Sequence, residues 1–124
     1  MGRVITFSRN VFLPLTTVCR NRCDYCGFRT PVQEGCILAP AGVAGILRHG
    51  AATGCTEALF TFGERPELEP GFTAMLSALG YGSILDYCYA MCREAIGMGL
   101  LPHTNAGLLS YGEMERLRSV NASL

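Results

Sequence analysis

The sequence predicts an α/β fold with parallel strands, made of about three to four strand-helix units at the amino-terminal side of a barrel-type domain. Short apolar, β-rich runs alternate with helix-like stretches. The stretches between them carry helix start and stop signals. Strand, helix, strand, helix in that order implies a parallel sheet with right-handed crossovers.

The first strand is VFLPLTTV, residues 11–18. Pro40 opens a helix over 40–52, because its fixed φ and missing N–H suit a first helical turn, and Gly54 ends it. EALFTF, residues 57–62, is the second strand, and a short helix covers 70–79. Ser83 with Asp86 caps a third helix to residue 96, and LLPHTNA, residues 100–106, is the third strand. Ser110 and Glu113 form a Ser-x-x-Glu capping box for a fourth helix, after which SVNASL reads as the beginning of another strand. A complete eight-unit barrel takes about 250 residues. The 124 residues here are therefore expected to be one incomplete domain, 1–124, with a bare sheet edge and poor solubility alone.

A content of 49% hydrophobic and 16% charged residues is that of a globular chain. Ten acidic residues balance ten basic ones, all arginine, which gives no reason to expect nucleic acid or an anionic membrane as partner. No apolar run approaches the length needed to cross a membrane. Seven cysteines would suit a secreted disulfide scaffold, but MGRVITFSRNVFLPL has neither a long apolar run nor a small-residue cleavage site. A cytoplasmic location with reduced thiols is expected. Gly2 and Thr6 fit the loose myristoylation pattern, read here as a chance match leading into a strand.

Three of the thiols lie within Cys19-Arg-Asn-Arg-Cys23-Asp-Tyr-Cys26, in the loop leaving the first strand, at the edge where parallel α/β folds place their sites. Thiolates are soft ligands for zinc, copper(I) or iron-sulfur clusters. A triad leaves one coordination position open unless Cys36 fills it. Two alternatives use Cys36: a structural zinc module and a 4Fe-4S electron-transfer protein. The second strand ends in Thr61-Phe62-Gly63-Glu64-Arg65-Pro66-Glu67, where Gly63 allows close backbone approach and Glu64 offers an acceptor for an ammonium group. Neither alternative has use for that pair, although a solvated loop acid would look the same. The third strand presents His103, Thr104 and Asn105, and a lone histidine is more often a hydrogen-bonded packing residue than a ligand. Cys88 and Cys92 share a helical face with Ile84 and Ile96 and read as buried packing thiols, as does Cys55. Met75, Leu76, Leu79, Met91 and Met98 fit apolar helix faces.

The CxxxCxxC spacing with an aromatic before its last cysteine, followed by a glycine-acid pair at the second strand's end, resembles the radical S-adenosylmethionine (SAM) superfamily. The runs ITFSRNVFLPLTTVCRNRCDYCGFRTP, EALFTFGERPE, GYGSILDYC, LLPHTNAG and VNAS narrow the resemblance to the members that close a deazaflavin ring. It implies the amino-terminal part of a radical SAM TIM-type partial barrel with parallel strands. Cys19, Cys23 and Cys26 would each bind one iron of a 4Fe-4S cluster, leaving the fourth iron to the amino and carboxylate groups of SAM. Tyr25 would lie near the adenine, Gly63 and Glu64 near the methionyl ammonium, and Asn105, Asn121 and Ser123 would face SAM or substrate. Arg9, Arg20, Arg22 and Arg29 either stabilise the anionic reduced cluster or are solvated loop residues. No catalytic acid or base is assigned. The implied reaction abstracts hydrogen from a tyrosine-derived hydroxybenzyl adduct of ribitylaminouracil, then closes the ring with release of ammonia, giving the chromophore of coenzyme F-420. A sister radical SAM subunit would supply the adduct, and a ferredoxin or flavodoxin the electrons. By that family's length more than half of the protein lies outside this sequence, so the chain alone is expected to be inactive.

Overall fold

The computed structural model describes residues 2–124. In chain order it holds β1 (Asn10–Thr16), α1 (Pro40–Ala52), β2 (Glu57–Phe62), a 3-10 turn at Pro66–Leu68, α2 (Phe72–Ala78), α3 (Ile84–Gly97), β3 (Leu101–Asn105) and α4 (Tyr111–Arg118). The strands form one sheet in the order β1-β2-β3, parallel throughout. The α/β class and the parallel alternation are as expected. The second helix starts later than 70 because the Pro66–Leu68 turn and Gly71, at φ 93°, occupy its approach. Residues 119–124 hold only the start of a strand: Ser123 makes a parallel bridge to His103, supported by Thr104 N–H to Ser123 O at 3.1 Å and Ala122 N–H to Pro102 O at 2.7 Å.

Local chemistry accounts for the element ends. Pro40 sits in the first turn of α1, and Gly54 follows its C-cap at φ 80°. The Ser83 hydroxyl accepts from Asp86 N–H at the start of α3. Ser110 and Glu113 close the capping box of α4 in both directions. Pro14 cannot donate to a ladder, and the β1 register slips between Pro14 and Thr16.

Consecutive strand order with right-handed crossovers puts successive helices on one side of the sheet. Leu13, Leu15, Ala58 and Phe60 are fully buried against Val43, Leu47, Tyr87, Cys88, Cys92 and Leu76. Tyr87 donates its hydroxyl to Leu38 O, and burial pushes its phenol pKa up. Cys88 and Cys92 are buried, as expected, with their sulfurs 3.9 Å apart and Thr104 Oγ1 within 3.8 Å of both; Cys92 and burial together push the Cys88 thiol up. Ile96, at the last turn of that helix, is instead 48% exposed, because the face that buries Cys88 and Cys92 runs past the sheet there. Cys55 is half-buried at the rim of the core.

The opposite face carries the alternate residues in register rows: Asn10, Glu57 and Leu101; Phe12, Leu59, His103 and Ser123; Pro14, Thr61 and Asn105. No helix covers it among the described residues, and Phe12 and Leu101 are 49% and 56% exposed. Parallel sheets are ordinarily covered on both faces. Among the described residues, no helix is long and apolar enough to cross a membrane.

Candidate functional site

β1 leaves the sheet into residues 17–38, and the neck of this excursion is closed by pairing. Thr30 N–H bonds Thr17 O at 3.1 Å, the two threonine hydroxyls meet at 2.5 Å, and Leu38 N–H returns to Leu15 O at 2.9 Å. The segment between carries Cys19, Cys23 and Cys26 outward at the carboxyl edge of the sheet.

The next strand delivers Gly63 and Glu64 against that neck. A Cβ on Gly63 would lie 2.0 Å from Val18 O, 2.5 Å from Cys19 Cβ and 2.7 Å from Cys19 Cα, so only glycine lets the two loops touch. Glu64 N–H points to Cys19 Sγ at 3.2 Å and Asn21 N–H to the same sulfur at 3.4 Å. Arg20 N–H donates to Glu64 O at 3.0 Å. The Glu64 carboxylate receives Arg20 Nη2 at 3.1 Å on one oxygen and Asn21 Nδ2 at 3.1 Å on the other. The third exit loop completes the clasp: Gly107, at φ 69°, leaves room for Glu64, whose Cβ, Cγ and Oε2 would stand 3.1 Å from any added Cβ. Arg29 braces the neck, with Nε donating to Cys19 O at 3.0 Å and Nη2 lying 3.8 Å from Glu69. Arg9, by contrast, precedes β1 at the amino edge, where its carbonyl accepts from Thr56 and Glu57 N–H. A seven-residue strand, about 20 Å long, therefore separates it from the cysteines.

Of the residues singled out in the sequence, Cys19, Gly63 and Glu64 are brought together. Cys23 and Cys26 are exposed on a turn closed by Cys26 N–H to Cys23 O at 3.0 Å. Tyr25 between them is 91% exposed, and the charge of Cys23 beside it raises its phenol pKa. All seven cysteines are free, and among the described residues no three His, Cys, Asp or Glu side chains are gathered closely enough to hold a metal ion. Cys36 is exposed and joins no such group. The fit to an iron-sulfur cluster is thus one of donor set and cradle: three unbridged thiols on one pinned loop, with two backbone N–H groups aimed at the first sulfur.

Asn105 stands exposed at the end of β3, in register with Thr61, whose buried hydroxyl has no hydrogen-bond partner. Asn121 turns toward the helices, accepting from Thr104 Oγ1 at 2.5 Å and donating to Leu117 O at 3.1 Å. Ser123 bonds His103 Nδ1 at 2.5 Å, whereas His103 Nε2 lies 3.2 Å from Glu57 without making a hydrogen bond. Asn21 and Gly107 were not singled out in the sequence. Asn21 carries no sequence signal, whereas Gly107 directly after the third strand is a turn signal of the kind that can be read.

Beside the Glu64 turn, a cleft of about 330 Å³ opens between Phe62, Leu85, Leu108 and Leu109, with Arg65 and Glu113 on its rim. Arg65 grips Glu113 with two nitrogens, at 2.5 and 2.7 Å, and donates to Leu108 O at 3.3 Å. That guanidinium, with help from Ser110 N–H, holds the Glu113 carboxyl down at about 2.

No protein-family model matches the chain. It is 69% identical over 121 residues to a 7,8-didemethyl-8-hydroxy-5-deazariboflavin synthase of Methanosphaerula palustris, 66% over 122 residues to one of Methanoregula boonei, and 54% over 123 residues to one of Archaeoglobus fulgidus. Each match takes in 98% of this chain and 37% of the relative, so the chain spans little more than a third of the length of the curated relatives it matches.

Proposed function

We propose, from the premise that this chain is homologous along 98% of its length to a segment of the 7,8-didemethyl-8-hydroxy-5-deazariboflavin synthases, that it is the amino-terminal part of a radical SAM ring-closing enzyme in coenzyme F-420 biosynthesis. Its open sheet face, which no helix covers among the described residues and where apolar Phe12 and Leu101 stand half-exposed, supports a partial barrel whose lumen that face would line. The observation that carries the site is the contact of the two exit loops, with Gly63 against Cys19 and Glu64 N–H on its sulfur.

In this reading Cys19, Cys23 and Cys26 would supply the thiolates that hold a 4Fe-4S cluster. When bound, cluster and SAM together supply one-electron cleavage of a carbon-sulfur bond and, through it, hydrogen abstraction from an unactivated position. The chain's own residues bind and orient. The backbone N–H groups of Asn21 and Glu64 stabilise negative charge on the Cys19 sulfur. The Glu64 carboxylate, little exposed between Asn21 and Gly107 and paired with Arg20 Nη2, would accept the methionyl ammonium. Tyr25, exposed beside the thiols, would lie against the adenine, and Asn105 at the strand end would face SAM or substrate.

The substrate in this reading is the 5-amino-5-(4-hydroxybenzyl)-6-(ribitylimino)uracil adduct, and ring closure releases ammonia. A sister radical SAM subunit supplies the adduct, a ferredoxin or flavodoxin supplies electrons, and the reaction takes place in the cytoplasm. Electron paramagnetic resonance of the anaerobically reconstituted, dithionite-reduced chain, with and without SAM, tests the proposal. A 4Fe-4S signal whose g-values move on adding SAM supports it. Bound zinc with no reconstitutable cluster would sink it.

A further inference from the structure

Among the described residues, Arg65 is the one non-glycine residue with a left-handed backbone, at φ 43° and ψ 52°. It directly follows Glu64 and precedes Pro66, whose ring already restricts the backbone before it. Glycine would adopt this conformation at no steric cost, so the side chain must supply what holds an arginine there. Its guanidinium makes a two-pronged ion pair with Glu113 and a third bond to Leu108 O. Glu113 is itself fixed, because its other role is to close the capping box of α4 by accepting from Ser110 N–H at 2.7 Å. The loop after β2 is thereby tied to the loop after β3. The loop after β3 is also the wall, at Gly107, against which the Glu64 side chain sits.

We propose that Arg65 and Glu113 are a positioning pair that sets the left-handed turn and so aims the Glu64 carboxylate into the mouth of the sheet. Neither residue touches the ligand. The functional consequence rests on the reading of Glu64 as the ammonium acceptor, whereas the conformational claim does not. A two-pronged arginine-carboxylate pair fixes direction as well as distance, which a single contact would not. The pair therefore does for the second loop what the Thr17–Thr30 pairing does for the first.

The test is amide hydrogen exchange of the peptide covering residues 63–69 in the 124-residue chain, comparing the parent with Glu113→Gln and Arg65→Gly. Glu115→Gln, which breaks only the surface pair with Arg118 on the same helix, is the control. Exchange of 63–69 should quicken at least tenfold in both test variants and stay unchanged in the control. Arg65→Gly removes the guanidinium but also frees the backbone, so Glu113→Gln, which leaves residues 63–69 unaltered, is the deciding variant. Unchanged exchange in Glu113→Gln, or an equal rise in Glu115→Gln, overturns the proposal. Should a variant melt globally, exchange of the peptide covering β2 would rise in parallel, and the same comparison made by single-site ¹⁵N relaxation at Glu64 in Arg65→Lys decides: increased mobility supports the pair, parent-like mobility refutes it. SAM titration of the reconstituted parent separates the two readings, since absent binding fails the proposed function while the exchange result still decides the clasp.

Discussion

Replacing Gly63 by alanine adds one methyl group at the point where the two exit loops meet. The added carbon would fall 2.0 Å from Val18 O and within 2.7 Å of the Cys19 backbone, so no rotamer change relieves it. One strand end must retreat, breaking the approach of Glu64 N–H to the Cys19 sulfur. Overpacking of this kind costs typically 1–3 kcal/mol, and rigid backbone neighbours put this case near about 3 kcal/mol. At roughly 4 °C per kcal/mol for a domain of this size, the melting temperature should fall by about 12 °C. Gly45→Ala is the internal contrast. Position 45 lies inside α1 with nothing within 4 Å of an added Cβ, so the same methyl should stabilise by about 1 kcal/mol through helix propensity. Thermal unfolding followed by circular dichroism at 222 nm, a wavelength that reports helix, reads both. If Gly63→Ala melts with the parent, the loops do not meet as described, and the basis for the candidate site is gone.

Other outcomes follow from single interactions. Tyr87→Phe removes the hydroxyl that satisfies Leu38 O beneath a fully buried ring, and should cost about 1–2 kcal/mol in urea unfolding; no loss would mean that water already serves that carbonyl. Glu113 has its folded pKa lowered from 4.5 to about 2, so its contribution is complete above pH 4.5 and is lost as pH falls toward 2. The parent should therefore lose stability over that window more steeply than Glu113→Gln, and identical slopes would remove the Arg65 pair from the account. Cys26→Ala should abolish iron retention while Cys36→Ala leaves it intact. Equal loss in both would make Cys36 the fourth ligand and close the open position.

The order of elements was readable in the chain because helix ends are local chemistry. Pro40, Ser83 and the Ser110–Glu113 box start their helices within a few residues of themselves, and the parallel sheet follows from alternation alone. Cys88 and Cys92 were likewise legible as core, since a spacing of four places both on one face. Ile96 extends the same spacing yet is half-exposed, because periodicity tells which face a residue shares but not where the sheet beneath it stops.

For the candidate site, sequence alone determined the residue types and their edge: three thiols after β1, and Gly63 and Glu64 after β2. Which of them meet was decided only by the tertiary structure. Cys19, Gly63 and Glu64 converge, Asn121 turns into the helix packing, Ser123 is taken by His103, and Arg9 lies a strand length away. Asn21 and the Arg65–Glu113 pair came into view only in three dimensions, as did the contact of Gly107 with Glu64. The physical reason is range: capping and hydrophobic period act over three or four residues, whereas Glu64 is held by groups 43 residues before and after it, at Asn21 and Gly107. Such contacts exist only once the parallel strands have brought their exit loops side by side.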